Sequence, residues 1–307
     1  MIEKELLLYL SKNKNIANIS MLEKDLYLQE LLIKISENPY CSNNFAFKGG
    51  TCLTKAYFGY YRFSEDLDFT WINTKTFEKQ NNNQVRKVLS IEINQIAEIF
   101  TKIASEIGLD FKPEKSNKHY IQLGGSNRFV TFKFWYKSVN LEPETFIKIQ
   151  LNFVEKLFYP IQKIQVKAIA EESKKDIQFL FPNSAKPAIC GTTINCYSLE
   201  EITAEKIRAL LTRRGFKARD IIDLYMLSKK GINIDSIKKI AIEKTLFMLK
   251  YLKYAENLKN KEFDKHFAIG NEQTLLIKPL EKQFEAFANK TLRELNELAE
   301  EIKIDIK

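Results

Sequence analysis

Histidine and cysteine are scarce in this sequence. Its 307 residues include two histidines, His119 and His266, and four cysteines, no two of which form a Cys-x-x-Cys pair. A structural zinc site usually draws four such ligands from short, regular spacings, so the sequence argues against one. The cysteines are instead expected as buried free thiols of a protein in a reducing cytoplasm.

A long apolar run is also missing from the N-terminus. Residues 1–10 combine acidic charge with a leucine run that is too short for a signal peptide or a membrane span. We therefore expect a cytoplasmic protein with no membrane association. Hydrophobic residues make up 45% of the chain, which is enough for a substantial core.

Acidic residues are outnumbered by basic ones. The chain has 48 lysines and arginines against 39 aspartates and glutamates, a formal charge of +9. A basic surface suits polyanions such as RNA, DNA or nucleotides. The alternative is a lysine-rich protein that has no such partner.

The length allows two domains, and the residue pattern changes near residue 195. The first part mixes short alternating runs with helices, including a long amphipathic helix over 85–107. The second part is helical. The predicted strands are 45–47, 67–72, 120–123, 128–136 and 146–153, and the later helices are 199–214, 217–229, 236–258 and 281–302. The predicted class is α+β, with a mixed-sheet domain over 1–195 and an α-helical domain over 196–307.

Two features between residues 47 and 71 carry chemistry. Gly49-Gly50-Thr51 can form a tight loop at a helix N-terminus, where backbone N–H groups point at an anion. Asp66 and Asp68 are separated by one residue in a predicted strand, so both carboxylates project from one face. Such a pair repels itself unless a cation lies between the two, and oxygen ligands suit Mg²⁺. Alone, each feature is typical of an ordinary turn or solvated strand, but their order and spacing together indicate nucleotidyl transfer.

A second group of charged residues lies between residues 198 and 227. Six basic residues and no acidic one occur from Lys206 to Arg219. Asp220 and Asp223 follow, three apart on a predicted helix, so they share a face. Taken alone, this pattern is also compatible with a helix pair that has a solvated basic face and a few salt bridges.

Together the two stretches resemble the AbiEii family of nucleotidyltransferase toxins. The first match is Gly49-Gly50-Thr51-x-Leu53-x-Lys55, then Arg62-x-Ser64-x-Asp66-Leu67-Asp68-Phe69. The second is Ala204-Glu205-Lys206, then Arg213-x5-Arg219-Asp220-x-x-Asp223-Leu224-Tyr225. The resemblance covers roughly residues 20–230.

The resemblance implies a nucleotidyltransferase-like domain over 1–195 and an enzyme that uses Mg²⁺ and an NTP. The acceptor would be RNA, above all a tRNA 3′ end, and the partner a cognate antitoxin protein. The implied catalytic residues are Asp66, Asp68, Lys206, Asp220 and Asp223, of which Asp66 and Asp68 hold the metal and Lys206 contacts phosphate. The implied nucleotide-binding residues are Lys48, Gly49, Gly50, Thr51, Arg62 and Ser64. The implied RNA-binding residues are Arg208, Arg213, Arg214, Lys217 and Arg219.

The sequence departs from the superfamily pattern at one place. A third carboxylate is expected on a later strand, and Gln150 occupies that place. Glu155, Asp220 or Asp223 are the candidate substitutes. Two other functions stay open at this point: a small-molecule nucleotidyltransferase, and a non-catalytic RNA-binding or antitoxin-docking relative.

Overall fold

The computed structural model describes residues 2–73, 81–139, 144–264 and 266–305. The chain forms two compact units. Unit 1 comprises Met1–Glu155 and Ile161–Cys196, and unit 2 comprises Lys156–Pro160 and Tyr197–Lys307.

Unit 1 contains a seven-stranded mixed sheet. Its spatial order is β3-β4-β5-β2-β1-β7-β6, in which β2 runs parallel to β5 and β1 parallel to β7, while the other neighbours are antiparallel. The strands are β1 Phe45–Lys48, β2 Asp66–Trp71, β3 Ile121–Gly124, β4 Phe129–Tyr136, β5 Thr145–Asn152, β6 Gln162–Val166 and β7 Thr192–Cys196.

Among the described residues of unit 1, seven α-helices accompany the sheet. They are α1 Lys4–Lys14, α2 Ile19–Glu37, α3 Pro39–Asn44, α4 Gly49–Cys52, α5 Asn82–Ile107, α6 Lys174–Leu180 and α7 Lys186–Ile189. A π-helix, Leu53–Phe58, continues directly from α4. Asn81 caps α5 in a capping box, and Gly108 ends it in the left-handed conformation that glycine adopts without strain.

Helix α5 covers an apolar face of the sheet. The ring of Phe100 packs edge-on against Phe132 at 5.0 Å and Phe134 at 5.6 Å, measured between ring centroids. Leu67 and Phe69 are fully buried, whereas Asp66 and Asp68 between them are partly exposed. Because side chains alternate along a strand, the apolar face that anchors the sheet leaves the opposite face for polar residues.

Unit 2 is helical. Its helices are α8 Leu199–Thr212, α9 Ala218–Ser228, α10 Ile234–Leu249, α11 Leu252–Lys259 and α12 Phe284–Asp305. Ser198 caps α8 by accepting a hydrogen bond from the Glu201 backbone N–H. The ring of Tyr225 packs against Phe284 and Phe287 and joins α9 to α12. The mixed sheet followed by a helical region confirms the α+β class.

Two details differ from the sequence predictions. The short strands β6 and β7 lie where the sequence predicted no strand. The single helix expected over 236–258 is two helices, α10 and α11, although no glycine or proline separates them. The break lets Asn257 of α11 donate to the Thr212 carbonyl at the end of α8, a tertiary contact that local propensity does not encode.

Within the described ranges, no helix is both long and apolar enough to cross a membrane.

Candidate active site

The glycine turn of unit 1 lies directly against the acidic strand. Gly49 begins α4 with φ +77°, a conformation that disfavours any side chain. A Cβ atom at this position would lie 2.6 Å from Oδ2 of Asp68. Position 49 therefore requires glycine for two reasons: the backbone conformation disfavours a side chain, and the Asp68 carboxylate leaves no room for one.

Thr51 and Ser64 join the glycine helix to the start of β2. The buried hydroxyl of Thr51 lies 2.7 Å from the Ser64 hydroxyl and hydrogen-bonds the backbone carbonyl of Asp66. These contacts fix where β2 begins, and so fix the first carboxylate relative to the turn. The Thr51 and Ser64 side chains position Asp66 in this arrangement.

Asp66 and Asp68 project from the polar face of the sheet. In the strand register, Asp68 is flanked by Lys48 on β1 and by Gln150 on β5, while Asp66 pairs with Lys148. The Lys148 ammonium lies 3.9 Å from Oδ1 of Asp66. The acid pair thus shares its face with Lys48, Lys148 and the neutral amide of Gln150.

A second lysine reaches the same area from α2. The Lys24 ammonium lies 3.9 Å from Glu65. Burial lowers the pKa of Lys24, while Glu65 and Asp66 raise it and Lys148 lowers it further. The mutual influence of these groups places Lys24 and Lys148 in the electrostatic neighbourhood of Asp66. Neither lysine was predicted from the sequence as part of the site. Lys148 alternates with Gln150 along β5, which would have placed it on the face of the acids, whereas no pattern in the sequence marks Lys24.

Lys48 and Glu155 form a buried pair beside β2. Oε2 of Glu155 accepts hydrogen bonds from Lys48 Nζ at 3.4 Å and from Asn152 Nδ2 at 2.7 Å. Glu155, a candidate for the missing third carboxylate, is therefore engaged by neighbours within unit 1. In the part of the chain that the structure describes, no three His, Cys, Asp or Glu side chains are grouped closely enough to hold a metal ion.

Two other motif residues are built into the interior of unit 1. Arg62 is buried, donates to the Phe63 carbonyl at 2.8 Å and lies over the Tyr61 ring. Lys55, on the π-helix, is fully buried and pairs with Asp25 of α2 at 2.8 Å. Burial lowers the pKa of Lys55, and Asp25 opposes this effect. The Lys55–Asp25 pair ties the helix that leaves the glycine turn to α2.

In unit 2, Lys206 lies between the two predicted aspartates. Its ammonium is 2.9 Å from Asp220 and 2.5 Å from Asp223, and Arg213 lies 2.8 Å from the other oxygen of Asp220. Burial raises the pKa of the Asp220 carboxyl, but Lys206 and Arg213 outweigh burial and hold the pKa below its ordinary value. Helices α8 and α9 therefore meet in a cluster of two cations and two anions, in which Lys206, Asp220 and Asp223 are buried and Arg213 is exposed.

The remaining predicted RNA-binding residues divide by exposure. Arg208 is buried and lies 3.3 Å from Glu205, and Arg219 is half-buried with its Nε 3.6 Å from Glu272. Arg213, Arg214 and Lys217 are exposed in the loop between α8 and α9. Of the five predicted RNA-binding residues, these three are the exposed ones.

The family model described as "Nucleotidyl transferase AbiEii toxin, Type IV TA system" matches residues 33–303. The chain belongs to the AbiEii nucleotidyl transferase toxin family. It is therefore a nucleotidyltransferase enzyme that acts on nucleotides, and its family places it in a type IV toxin–antitoxin system, in which an antitoxin is the toxin's counterpart. The predicted resemblance is confirmed over most of the chain.

Two solved structures from Helicobacter pylori are also similar to this AbiEii chain. The protein JHP933 is 15% identical, with 95% of this chain and 97% of that chain covered and a TM-score of 0.44. A protein suggested to be a nucleotidyltransferase is 17% identical, with 94% and 96% covered and a TM-score of 0.41. No curated protein matches this chain.

Proposed function

We propose that this AbiEii protein is a Mg²⁺-dependent enzyme that transfers a nucleoside monophosphate from an NTP to an RNA acceptor, with a tRNA 3′ end as the acceptor. The cognate antitoxin protein would restrain this activity. The observation that carries the proposal is the close approach of Gly49 to Asp68. It brings a main-chain turn suited to phosphate against a carboxylate suited to a metal ion.

The donor set of unit 1 fits magnesium. Asp66 and Asp68 supply two carboxylates from one strand face, and Gln150 beside Asp68 supplies a carbonyl oxygen at most. Mg²⁺ commonly takes one or two carboxylates and completes its shell with water and substrate phosphates, so a third protein carboxylate is not required. When bound, the ion would lower the pKa of the acceptor hydroxyl and neutralise charge on the leaving pyrophosphate.

The chain's own groups would bind and orient the nucleotide. Gly49, Gly50 and Thr51 would present main-chain N–H groups to the triphosphate. Lys148 and Lys24 would add positive charge near Asp66 and attract the polyanion. Thr51 and Ser64 would keep Asp66 aligned, since their hydroxyls connect the turn to the beginning of β2.

Lys206 is proposed as a phosphate contact held in place by its two aspartates. A flexible lysine side chain loses conformational entropy when it becomes ordered, and this loss opposes binding. Asp220 and Asp223 fix the ammonium before any ligand binds. In this proposal the aspartates act through Lys206, and their removal would impair transfer without removing a group that touches the nucleotide.

RNA as the acceptor is supported by charge. The chain carries a formal charge of +9, and Arg213, Arg214 and Lys217 are exposed together in one loop. Contacts between such cations and phosphates release counterions and favour binding to nucleic acid. A small neutral acceptor would gain nothing from them.

The test is to incubate the protein with Mg²⁺, total tRNA and each of the four NTPs in turn, labelled on the α-phosphate. Label should move to the RNA from at least one NTP, and nuclease mapping should place it at the 3′ end. The matched negative control is Asp68→Asn, and Asp176→Asn on exposed α6 controls for the loss of one carboxylate. Absence of label on RNA with every NTP, together with Asp68-dependent transfer to a small hydroxylated molecule, would overturn the RNA assignment.

A further inference from the structure

The loop between α8 and α9 exposes an aromatic ring among cations. Residues 213–217 are all exposed, and 42% of Phe216 is open to solvent. Arg214 and Lys217 lie two residues before and one residue after it in the chain. An aromatic ring can stack on the flat base of a nucleotide, and exposed cations beside it can bind the nucleotide's phosphate.

Other aromatic residues of unit 2 support this ring. The centroids of Phe263 and Phe267 each lie 6.3 Å from that of Phe216, with planes at 78° and 73° to it. Phe267 in turn packs edge-on against Phe284 of α12 at 5.2 Å. The ring of Phe216 is therefore held by neighbours on one side while the remainder stays accessible.

The loop is also fixed at both ends. At its start, Lys261 Nζ donates to the Arg213 carbonyl at 2.7 Å, and the Arg213 side chain pairs with Asp220. Just beyond its end, the Arg219 backbone N–H donates to Glu272 at 2.7 Å. A pre-ordered loop loses little conformational freedom on binding, which favours a recognition role.

We propose that Phe216 is a stacking platform for an unpaired base of the RNA acceptor, with Arg214 and Lys217 contacting the adjacent phosphates. This inference rests on the proposed RNA acceptor and narrows it to RNA that is single-stranded where it meets this loop. Stacking on an aromatic ring accepts any base, so the platform would recognise unpaired character and not sequence.

The test is to measure binding of a twelve-nucleotide oligoadenylate, and of an abasic ribose-phosphate chain of the same length, without NTP. The Phe216→Leu variant, which keeps apolar bulk but removes the ring, should bind oligoadenylate about tenfold more weakly. It should bind the abasic chain as the parent does, and the slope of log affinity against log salt should not change. Phe179→Leu is the matched control, since Phe179 is 85% exposed on α6 of unit 1.

A second variant keeps the proposal testable if Phe216→Leu proves unstable. In Phe216→Trp, oligoadenylate should quench the added tryptophan fluorescence, measured against the parent, which contains two tryptophans. Unchanged affinity in Phe216→Leu, or no additional quenching in Phe216→Trp, would mean that Phe216 only covers the aromatic core. These binding results are independent of turnover, so absence of RNA labelling with normal base-dependent binding would overturn the proposed reaction and leave the platform intact.

Discussion

Asp68 and Gln150 are direct cross-strand neighbours on the parallel strands β2 and β5. The strand that would be expected to complete the acidic site reaches the correct place and presents an amide there. Gln150 is exposed beside the partly exposed Asp68, so the position is open to solvent and to ligands. The strand therefore has the expected register beside Asp68 and differs from the superfamily pattern only in carrying an amide in place of a carboxylate.

Replacing Gln150 by Asp should strengthen magnesium binding. A third carboxylate beside Asp68 adds a charged oxygen ligand, but without the ion it adds repulsion to an existing acid pair. We expect Gln150→Asp to lower the melting temperature in the absence of Mg²⁺ and to show a larger stabilisation by Mg²⁺ than the parent. Gln150→Asn is the control; equal responses to Mg²⁺ in the Asp and Asn variants would contradict the placement of the ion next to Asp68.

Removing either carboxylate of β2 should abolish transfer without unfolding the protein. Asp66→Asn and Asp68→Asn each remove a proposed metal ligand and also relieve repulsion between the pair, so stability should stay level or rise slightly. Label transfer to RNA should fall by orders of magnitude, while Asp176→Asn keeps parental activity. Either variant retaining activity within about threefold of the parent would falsify the metal role.

Alanine at Gly49 should reduce transfer activity more than alanine at Gly59. Both glycines have positive φ, +77° and +73°, so alanine strains the backbone at both positions, by about 1–3 kcal/mol. Only at Gly49 would the new Cβ meet Asp68; at Gly59 nothing lies within 4 Å. Urea unfolding and transfer assays should show that both variants are destabilised, but that Gly59→Ala stays active whereas Gly49→Ala is inactive. Similar losses of activity in the two variants would show that backbone strain, and not the contact with Asp68, causes the loss.

Acid should weaken unit 2 through Asp220. Lys206 and Arg213 hold the folded pKa of Asp220 below its ordinary value of 3.8, despite the opposing effect of burial. A carboxyl with a depressed folded pKa stabilises the protein above its unfolded pKa, and this stabilisation is lost as pH falls through the folded pKa. Asp220→Asn should therefore be less stable than the parent by on the order of 2 kcal/mol at pH 6.

The measurement is urea unfolding of the parent and Asp220→Asn between pH 2 and pH 6. The difference in free energy of unfolding should be constant above about pH 5 and shrink below pH 3.8. Glu205→Gln, which removes a half-buried carboxylate paired with Arg208 in the same unit, is the comparison variant. If the difference in free energy of unfolding between the parent and Asp220→Asn did not change with pH, the ionised Asp220 carboxylate would not be the source of the stabilisation.

The exposed loop cations should account for part of the salt dependence of RNA binding. The Arg214→Ala/Lys217→Ala double variant removes two charges but leaves Arg213, which anchors the loop through Asp220. The slope of log affinity against log salt should become shallower by about 1–2. Lys278→Ala/Lys282→Ala removes the same charge elsewhere in unit 2 and should leave the slope nearly unchanged. Equal slopes in the two double variants would mean that the loop is merely solvated.

Local sequence was sufficient for the elements that carry the site. The alternation of Asp66, Leu67, Asp68 and Phe69 predicted a strand with acids on one face, because a strand repeats every two residues. The order of the glycine turn and the acid pair also predicted the family, which the family match confirms. The roles assigned to Lys48, Arg62 and Lys206 stay predictions.

Only the tertiary structure decided which groups surround the acids. Lys148 of β5 lies beside Asp66, and Lys24 of α2 lies beside the neighbouring Glu65. Glu155 is engaged by Lys48 and Asn152. The structure also showed that Lys206 lies between Asp220 and Asp223 instead of on an open basic face. Periodicity determines which face of an element a residue occupies, because that depends on backbone geometry alone. The partner across that face depends on strand order and helix packing, which arise from burial of the whole core.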